Sequence, residues 1–247
     1  MRCIDIIAAF ELEINKLDDV LAKPATDDSV YWINQAMMKF VKDRFNGNAP
    51  KRTSYEQNEK RTRDLINLLR KDSYEFGDPM YDESGNQVLF QYEEHPDYDE
   101  YIYDYPGYGV NYDKPKMLYV LNEDVIINVN GKRKDVPVFE CTADNFMYRI
   151  TNSLTDFHLH CGTARPLRIR TQTGFKLLTD KNYTIERYTV GYLKVPTEID
   201  PSNPDTEYND FEDNIWAEII KIAAQMYIEN QSDPRYKTLT QEVLTQE

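Results

Sequence analysis

Two histidines and a cysteine stand together in one short segment. His158 and His160 are separated by one residue, and Cys161 follows directly. On a strand both histidines would point to the same face, because successive side chains alternate. Imidazole and thiolate groups bind zinc, and Cys141 or a carboxylate could complete such a site. A zinc site needs three or four convergent ligands, so we expect a polar strand or loop with one buried cysteine, and no metal or other cofactor.

Carboxylate pairs are frequent, which weakens each of them as a catalytic candidate. General acid–base chemistry uses a few carboxylates with perturbed pKa values in a cleft. The pairs here are Glu93 with Glu94, Asp97 with Asp99 and Glu100, and Glu212 with Asp213. The sequence contains no glycine-rich phosphate loop, no dinucleotide fingerprint, no Gly-x-Ser-x-Gly and no His-Glu-x-x-His. We therefore expect no enzymatic activity.

The acidic residues are concentrated in two segments. The chain of 247 residues has a net charge of −14, which argues against sequence-independent binding of nucleic acid. Residues 73–113 hold 11 acidic and no basic side chains, and residues 200–247 hold 11 acidic and 3 basic ones. Residues 1–72 and 114–199 carry net charges of +1 and +4. The charge pattern therefore indicates two acidic surfaces.

Nine of the 19 tyrosines also lie within residues 73–113. Tyrosine combines a large ring with a polar hydroxyl and is enriched at interfaces. One interpretation is a loop whose rings pack locally; the other is an extended arm on a neighbouring copy of the chain. In the second interpretation the arm contacts a basic strip on the neighbour. The contact residues would be Tyr98, Tyr101, Tyr103 and Tyr105 in the arm, and Arg165, Arg168 and Arg170 in the strip.

Helical periodicity marks both ends of the chain. Apolar residues recur every three or four positions in residues 7–21 and again in residues 30–40. A capping box at residues 53–56 predicts a third helix that ends near Lys71. Residues 211–226 carry the most extended helical pattern.

In the middle of the chain, the apolar residues follow patterns that are typical of β-strands. The predicted strands are residues 117–121, 125–129, 136–141, 167–171, 175–178 and 183–195. Asn130-Gly131 predicts a tight hairpin because both residues tolerate positive φ. Thr142 predicts the start of a short helix, and residues 93–113 predict a loop or irregular ribbon.

The order of helices, then strands, then a helix is typical of an α+β fold. We predict an antiparallel helical bundle, made of the N-terminal helices plus the C-terminal helix, with an inserted antiparallel β domain. The predicted divisions are residues 1–72 (N-terminal helices), 73–113 (acidic, tyrosine-rich arm or loop), 114–199 (β-rich insertion) and 200–247 (C-terminal helix and tail, packing with 1–72). The sequence shows no transmembrane run, no signal peptide and no disulfide framework, so we expect no membrane contact and a reducing compartment.

Several motifs, taken in order, resemble the head-to-tail adaptor (ring) proteins of short-tailed, crAss-like bacteriophages, which are similar to the tail tubular adaptor family. The motifs are the helix at residues 5–21, Asn34-Gln35-Ala36 with Phe40, Ala164-Arg165-Pro166-Leu167-Arg168, Tyr192-Leu193-Lys194-Val195-Pro196, the helix at residues 218–229, and Asp233-Pro234-Arg235-Tyr236. Residues 73–113 lie outside this resemblance.

The resemblance implies a structural virion protein without catalytic activity. Copies of the chain would form a dodecameric ring below the portal protein and above the next tail ring protein, assembled in the host cytoplasm. DNA would pass through the channel without specific binding, and an acidic channel wall would repel it. Family members grip the portal with a terminal tail or helix end, which corresponds here to Asp233, Arg235, Tyr236 and the residues after them.

Three alternatives stay open. The chain could be another tail-ring or head-completion protein. It could be an acidic module that mimics nucleic acid and binds a DNA-binding protein. It could also be a metal-dependent enzyme with a site near His158 and His160.

Overall fold

A computed structural model describes residues 1–17, 24–46, 59–75, 91–94, 96–104, 116–171 and 174–230. In chain order the elements are α1 (Cys3–Leu17), α2 (Thr26–Asn46), α3 (Glu59–Asp64), β1 (Leu69–Glu75), β2 (Gln91–Glu94), β3 (Asp99–Asp104), β4 (Met117–Val129), β5 (Lys132–Pro137), β6 (Phe139–Glu140), α4 (Ala143–Thr151), β7 (Leu167–Arg170), β8 (Gly174–Thr179), β9 (Thr184–Lys194) and α5 (Asp213–Asn230). Helices together with largely antiparallel sheets confirm the α+β class.

The chain forms two compact units. The helical unit takes its described residues from the chain up to Leu68 and from Val195 onward, whereas the β unit begins at Leu69 and ends at Lys194. The β unit is therefore inserted, in sequence, between the two parts of the helical unit.

The core of the helical unit lies where α1, α2 and α5 contact one another. Trp216 of α5 is fully buried, and its indole N–H donates to the carbonyl oxygen of Tyr208 at 3.4 Å. The ring of Phe211 packs edge-on against Trp216 at 5.4 Å and against Phe40 of α2 at 5.9 Å. Aromatic contacts of this kind stabilise a core beyond the area that they bury.

Helix α1 buries one stripe of side chains, spaced three or four residues apart as the helical period requires. The buried residues are Cys3, Ile6, Phe10 and Ile14. The predicted stripe started at Ile7, which is only half-buried, so the helix is rotated slightly from the orientation we expected. The last part of that predicted helix, residues 18–21, lies outside the described residues.

The predicted third helix is shorter than expected. Helix α3 ends at Asp64, a 3₁₀ turn covers Ile66–Leu68, and Leu69–Glu75 form strand β1. Strand β1 pairs antiparallel with β9, so sheet pairing overrides the local helical pattern. The capping box at residues 53–56 lies outside the described residues.

Two sheets form the β unit. One has the strand order β1-β9-β4-β5 and is antiparallel, and the other has the order β2-β3-β8-β7-β6, in which β6 pairs parallel with β7. The hairpin between β4 and β5 is confirmed, because Asn130 and Gly131 have φ values of 51° and 79°. The two strands predicted within residues 117–129 are one continuous strand, β4.

The second sheet is covered on both faces. Phe175 and Leu177 of β8 belong to a core shared with the first sheet, together with Tyr188 of β9. Leu178, the next residue along β8, belongs to a smaller core on the opposite face with Phe157. Helix α4 packs onto this smaller core, so the β unit has three layers.

Residues 93–113 were predicted to be a loop or irregular ribbon, and this is wrong for residues 93–94 and 99–104, which form strands. Strands β2 and β3 pair with each other, and β3 pairs with β8 in the second sheet. Backbone pairing with β8 draws this acidic stretch into the sheet, although its composition is unusual for a strand. Residues 76–90, 95 and 105–115 lie outside the described residues.

Candidate interaction surface

The two candidate zinc-binding histidines make separate contacts to the backbone. They lie in the connection between α4 and β7 and not in a regular strand. A ring nitrogen of His158 hydrogen-bonds the carbonyl of Ile150 at 3.1 Å, and its Nδ1 lies 3.6 Å from a carboxylate oxygen of Asp180. His160 bonds the carbonyl of Ser153 at 2.8 Å. In the described part of the chain, no three His, Cys, Asp or Glu side chains are grouped to hold a metal ion.

Arg168, a predicted surface residue, lies inside the β unit. It is 3% exposed, and its Nε lies 2.6 Å from a carboxylate oxygen of Glu123. Its Nη2 lies 3.1 Å from Glu140, and its guanidinium stacks over the ring of Phe175 at 4.6 Å. Glu123 also accepts a hydrogen bond from the Tyr188 hydroxyl. Arg168 therefore joins β7 to β4 and does not present its charge to a partner.

Burial raises the pKa of Glu123 above its ordinary value of 4.5. The nearby Arg168 guanidinium and the Tyr188 hydroxyl oppose this shift because both favour the carboxylate, but desolvation is the larger effect. The pair is thus a buried ionic contact whose charged form is costly.

The other two predicted arginines are accessible. Arg165 and Arg149 share one carboxylate, that of Asp156, at 3.3 and 2.7 Å. Arg149 also stacks over the Phe139 ring at 3.7 Å. Arg170 is exposed at the end of β7. Of the three arginines in the predicted basic strip, Arg165 and Arg170 are therefore accessible and Arg168 is not.

The four predicted contact tyrosines have different surroundings. Tyr101 is buried in the core between the two sheets, so its ring is not available to a partner. Tyr98 is half-buried and packs edge-on against Phe146 at 5.9 Å. Tyr103 lies in β3, where its backbone pairs with that of Phe175. Tyr105 lies outside the described residues.

The predicted portal-binding residues also lie outside the described residues. They are Asp233, Arg235 and Tyr236, which follow the end of α5 at Asn230. Their role stays a prediction.

A group of exposed apolar side chains lies on α4 and in the turn after it. Met147 is 61% exposed, Tyr148 is equally exposed, and Leu154 is 85% exposed. Phe146 and Ile150 of the same helix are half-buried against the smaller core, and no residue of α4 is fully buried. We call Met147, Tyr148 and Leu154 the α4 patch.

A second exposed apolar surface lies on α1. Ile4 is 51% exposed and Leu12 is 62% exposed, with the exposed Ala8 midway between them. Residues four apart are neighbours on a helix surface, so the three form one continuous stripe, which we call the α1 stripe. Sequence reasoning followed only the buried face of each helix and missed both surfaces. The signal was present, because α1 has more apolar residues than one face holds.

An open groove of about 310 Å³ lies on the first sheet. It is lined by Glu75, Ile126, Arg133, Glu186 and Arg187. The Nε of Arg133 lies 2.6 Å from Glu186, and the charges of the lining balance. The groove brings together no nucleophile and base and therefore supports no catalytic assignment.

The fold and these surfaces define an α+β protein of two units, each with exposed apolar side chains. No protein-family model matches the chain, and no curated protein is significantly similar to it. None of the helices in the described residues is long and apolar enough to cross a membrane.

Proposed function

We propose that this chain is a structural subunit of the head-to-tail connector ring of a short-tailed, crAss-like bacteriophage. Copies of the chain form a dodecameric ring below the portal protein, joining the capsid to the next tail ring protein. DNA passes through the ring without specific binding. The subunit performs no catalytic step, assembles in the host cytoplasm and remains in the virion.

The proposal is carried by where the motifs of the resemblance lie along the chain, relative to the boundaries of the two units. The motif at residues 192–196 spans the point where the chain leaves the β unit and re-enters the helical unit. Asn34, in another motif of the resemblance, bonds the backbone of Ile199 just beyond residues 192–196: the side-chain Oδ1 of Asn34 accepts from the Ile199 N–H at 2.9 Å. These motifs therefore lie at junctions that organise the fold.

The exposed apolar surfaces give further support. A ring is built from heterologous contacts, in which each subunit offers two different, complementary surfaces. The α1 stripe and the α4 patch lie on different units and have different shapes. Large apolar side chains left exposed on a folded protein commonly mark protein–protein contacts.

The acidic connector before α5 supports passage of DNA without specific binding. Residues 195–213 contain seven carboxylates and no Lys or Arg. All of them except Asp210 are exposed. A surface of this charge repels the phosphate backbone and so prevents DNA from adhering to a channel wall. The same surface also suits the alternative role of a nucleic-acid mimic.

Native mass and particle images test the proposal. The purified chain, alone and mixed with the portal protein of the same phage, is measured by light scattering and imaged by electron microscopy. We expect rings with a central channel, alone or stacked on the portal. A chain that stays monomeric with the portal present contradicts the proposal. A monomer that instead captures a DNA-binding protein supports the nucleic-acid mimic.

A further inference from the structure

We infer that the α1 stripe of one copy packs against the α4 patch of the neighbouring copy, and that this contact builds the ring. The inference rests on the proposed function, since it assigns the surfaces through which the subunits assemble. The occupant of each surface is therefore a second copy of this chain.

The α1 side of the contact is a regular apolar ridge. Ile4, Ala8 and Leu12 present two large side chains with a small one between them. Such a large-small-large pattern leaves a central depression along the helix surface, into which a protruding side chain fits. The helix already buries its opposite face within the helical unit, so this ridge is a second apolar face.

The α4 side of the contact is a protrusion. Leu154 is the most exposed of the large apolar side chains in the described residues, and it sits in the turn directly after α4. The turn is held by Thr155, whose hydroxyl shares its one proton between the carbonyl oxygens of Arg149 at 2.7 Å and Asn152 at 3.0 Å. A side chain held on a defined turn loses little freedom on binding, which favours its use as an anchor.

Ion pairs beside the two surfaces are unbalanced in opposite directions. Next to Ile4, one arginine serves two carboxylates: Arg2 lies 3.0 Å from Asp5 and 3.9 Å from Asp205. Next to the α4 patch, two arginines share the single carboxylate of Asp156. The Arg2 group has a surplus negative charge, and the Asp156 group, next to Leu154 in sequence, has a surplus positive charge. The exposed carboxylate of Asp144 lies in the first turn of α4, at the opposite end of the helix from Leu154. Packing the Arg2 group against the Asp156 group completes both and orients the subunits.

The contact is heterologous, because it joins two different surfaces of the subunit. Unlike a symmetric contact, which closes on two copies, a heterologous contact continues from subunit to subunit until a ring closes.

Site-directed cross-linking tests the contact. Cys161 is exposed and is replaced by serine, whereas Cys3 and Cys141 are buried and remain. Leu12→Cys and Leu154→Cys chains with tags of different size are mixed and treated with a short bismaleimide. We expect a covalent heterodimer in roughly tenfold higher yield than with a control site, because bound subunits have a raised effective concentration.

Ile66→Cys is the matched control. Ile66 is an exposed apolar residue of the helical unit outside both surfaces. If the Leu12→Cys chain cross-links to the Ile66→Cys chain in the same yield as to the Leu154→Cys chain, the inference is overturned. A Leu12→Cys homodimer as the main product also overturns it, since that product requires a symmetric contact.

A charge exchange gives a second, independent test. Asp205→Lys and Arg165→Glu each reverse a charge beside one surface, at side chains that are 90% and 40% exposed. We expect each variant alone to assemble poorly, and an equimolar mixture to regain assembly, because each reversed surface then meets its complement. No recovery in the mixture, while both variants remain folded by circular dichroism, overturns the charge pairing.

The outcomes separate this inference from the proposed function. If the wild-type chain forms rings but the Leu12→Cys and Leu154→Cys chains do not cross-link, only the assignment of the contact surfaces is overturned. A chain that forms neither rings with the portal nor the cross-link overturns both. A cross-linked head-to-tail dimer without rings supports the contact and contradicts the ring.

Discussion

Helices α4 and α5 are both apolar in more than half of their residues, yet they use these residues in opposite ways. Helix α5 buries half of its residues, and α4 buries none. The difference lies in their neighbours among the described residues: α5 contacts both α1 and α2, whereas α4 packs onto the smaller core on one face of the second sheet. With this packing, α4 leaves a large part of its apolar surface exposed.

The largest expected effect comes from the buried helix. Trp216→Ala removes a fully buried ring from α5, and we expect a loss of about 3–5 kcal/mol of unfolding free energy from lost burial and the cavity left behind. Urea unfolding followed by circular dichroism measures it. Tyr148→Ala in α4 is the control, with an expected change within about 0.5 kcal/mol, as for surface residues. Similar losses in the two variants would remove the distinction between the helices.

Strand β7 allows the same comparison between a buried and an exposed side chain, those of Arg168 and Arg170. Arg168→Met leaves Glu123 buried without its nearest countercharge, and breaking a buried pair in this way costs about 3 kcal/mol. Arg170→Met, two residues along the strand, changes an exposed side chain and is expected to stay within about 0.5 kcal/mol. The same urea titration compares them, and an equal effect would contradict the assignment of Arg168 to the interior.

The buried carboxylate makes part of the stability pH-dependent. The folded pKa of Glu123 is raised, so the folded state holds its proton to higher pH than the unfolded chain does. The Glu123 contribution to stability therefore falls as the pH rises from its ordinary pKa of 4.5 through the folded pKa.

Glu123→Gln tests this sign, because an amide does not titrate. We expect the difference in unfolding free energy between wild type and variant to shift in favour of the variant as the pH rises above 4.5. Urea midpoints at several pH values measure the difference. If the difference shifts in favour of wild type as the pH rises, Arg168 and Tyr188 stabilise the Glu123 carboxylate by more than its desolvation costs.

The smallest expected change in stability concerns the α4 patch. The double variant Met147→Ser, Leu154→Ser replaces exposed side chains, so we expect the unfolding free energy to stay within about 0.5 kcal/mol of wild type. Assembly, measured by light scattering, is expected to be lost. A variant that assembles normally would show that α4 differs from α5 in burial but not in role.

Much of the fold was predictable because local patterns coincide with tertiary burial. The hairpin at Asn130-Gly131 depends on two residues that tolerate positive φ, and this property belongs to the residues themselves. The periodicity of α5 is equally local, since its apolar residues recur at the helical spacing. Both predictions are confirmed because no distant contact opposes them.

The predictions that were wrong concern segments whose conformation depends on a distant strand. Leu69–Glu75 has a helical pattern at its start but pairs with β9, more than a hundred residues away in sequence. Strand β3 is acidic and tyrosine-rich, and it is nevertheless held by β8. A pattern in one segment carries no information about which strand will supply its hydrogen bonds.

The candidate surface likewise combines properties that the sequence determines with properties that depend on tertiary packing. The sequence by itself determined the α+β class, the insertion of strands between helices, and the uneven distribution of charge, because these depend on residue type and order. Only the tertiary structure decided that Arg168 and Tyr101 are buried while Met147 and Leu154 are exposed. Burial depends on which elements pack over a side chain. Arg168 is covered by its contact with Glu123 of β4, and Tyr101 lies in the core between the two sheets, and neither contact is visible in the residues next to them in sequence.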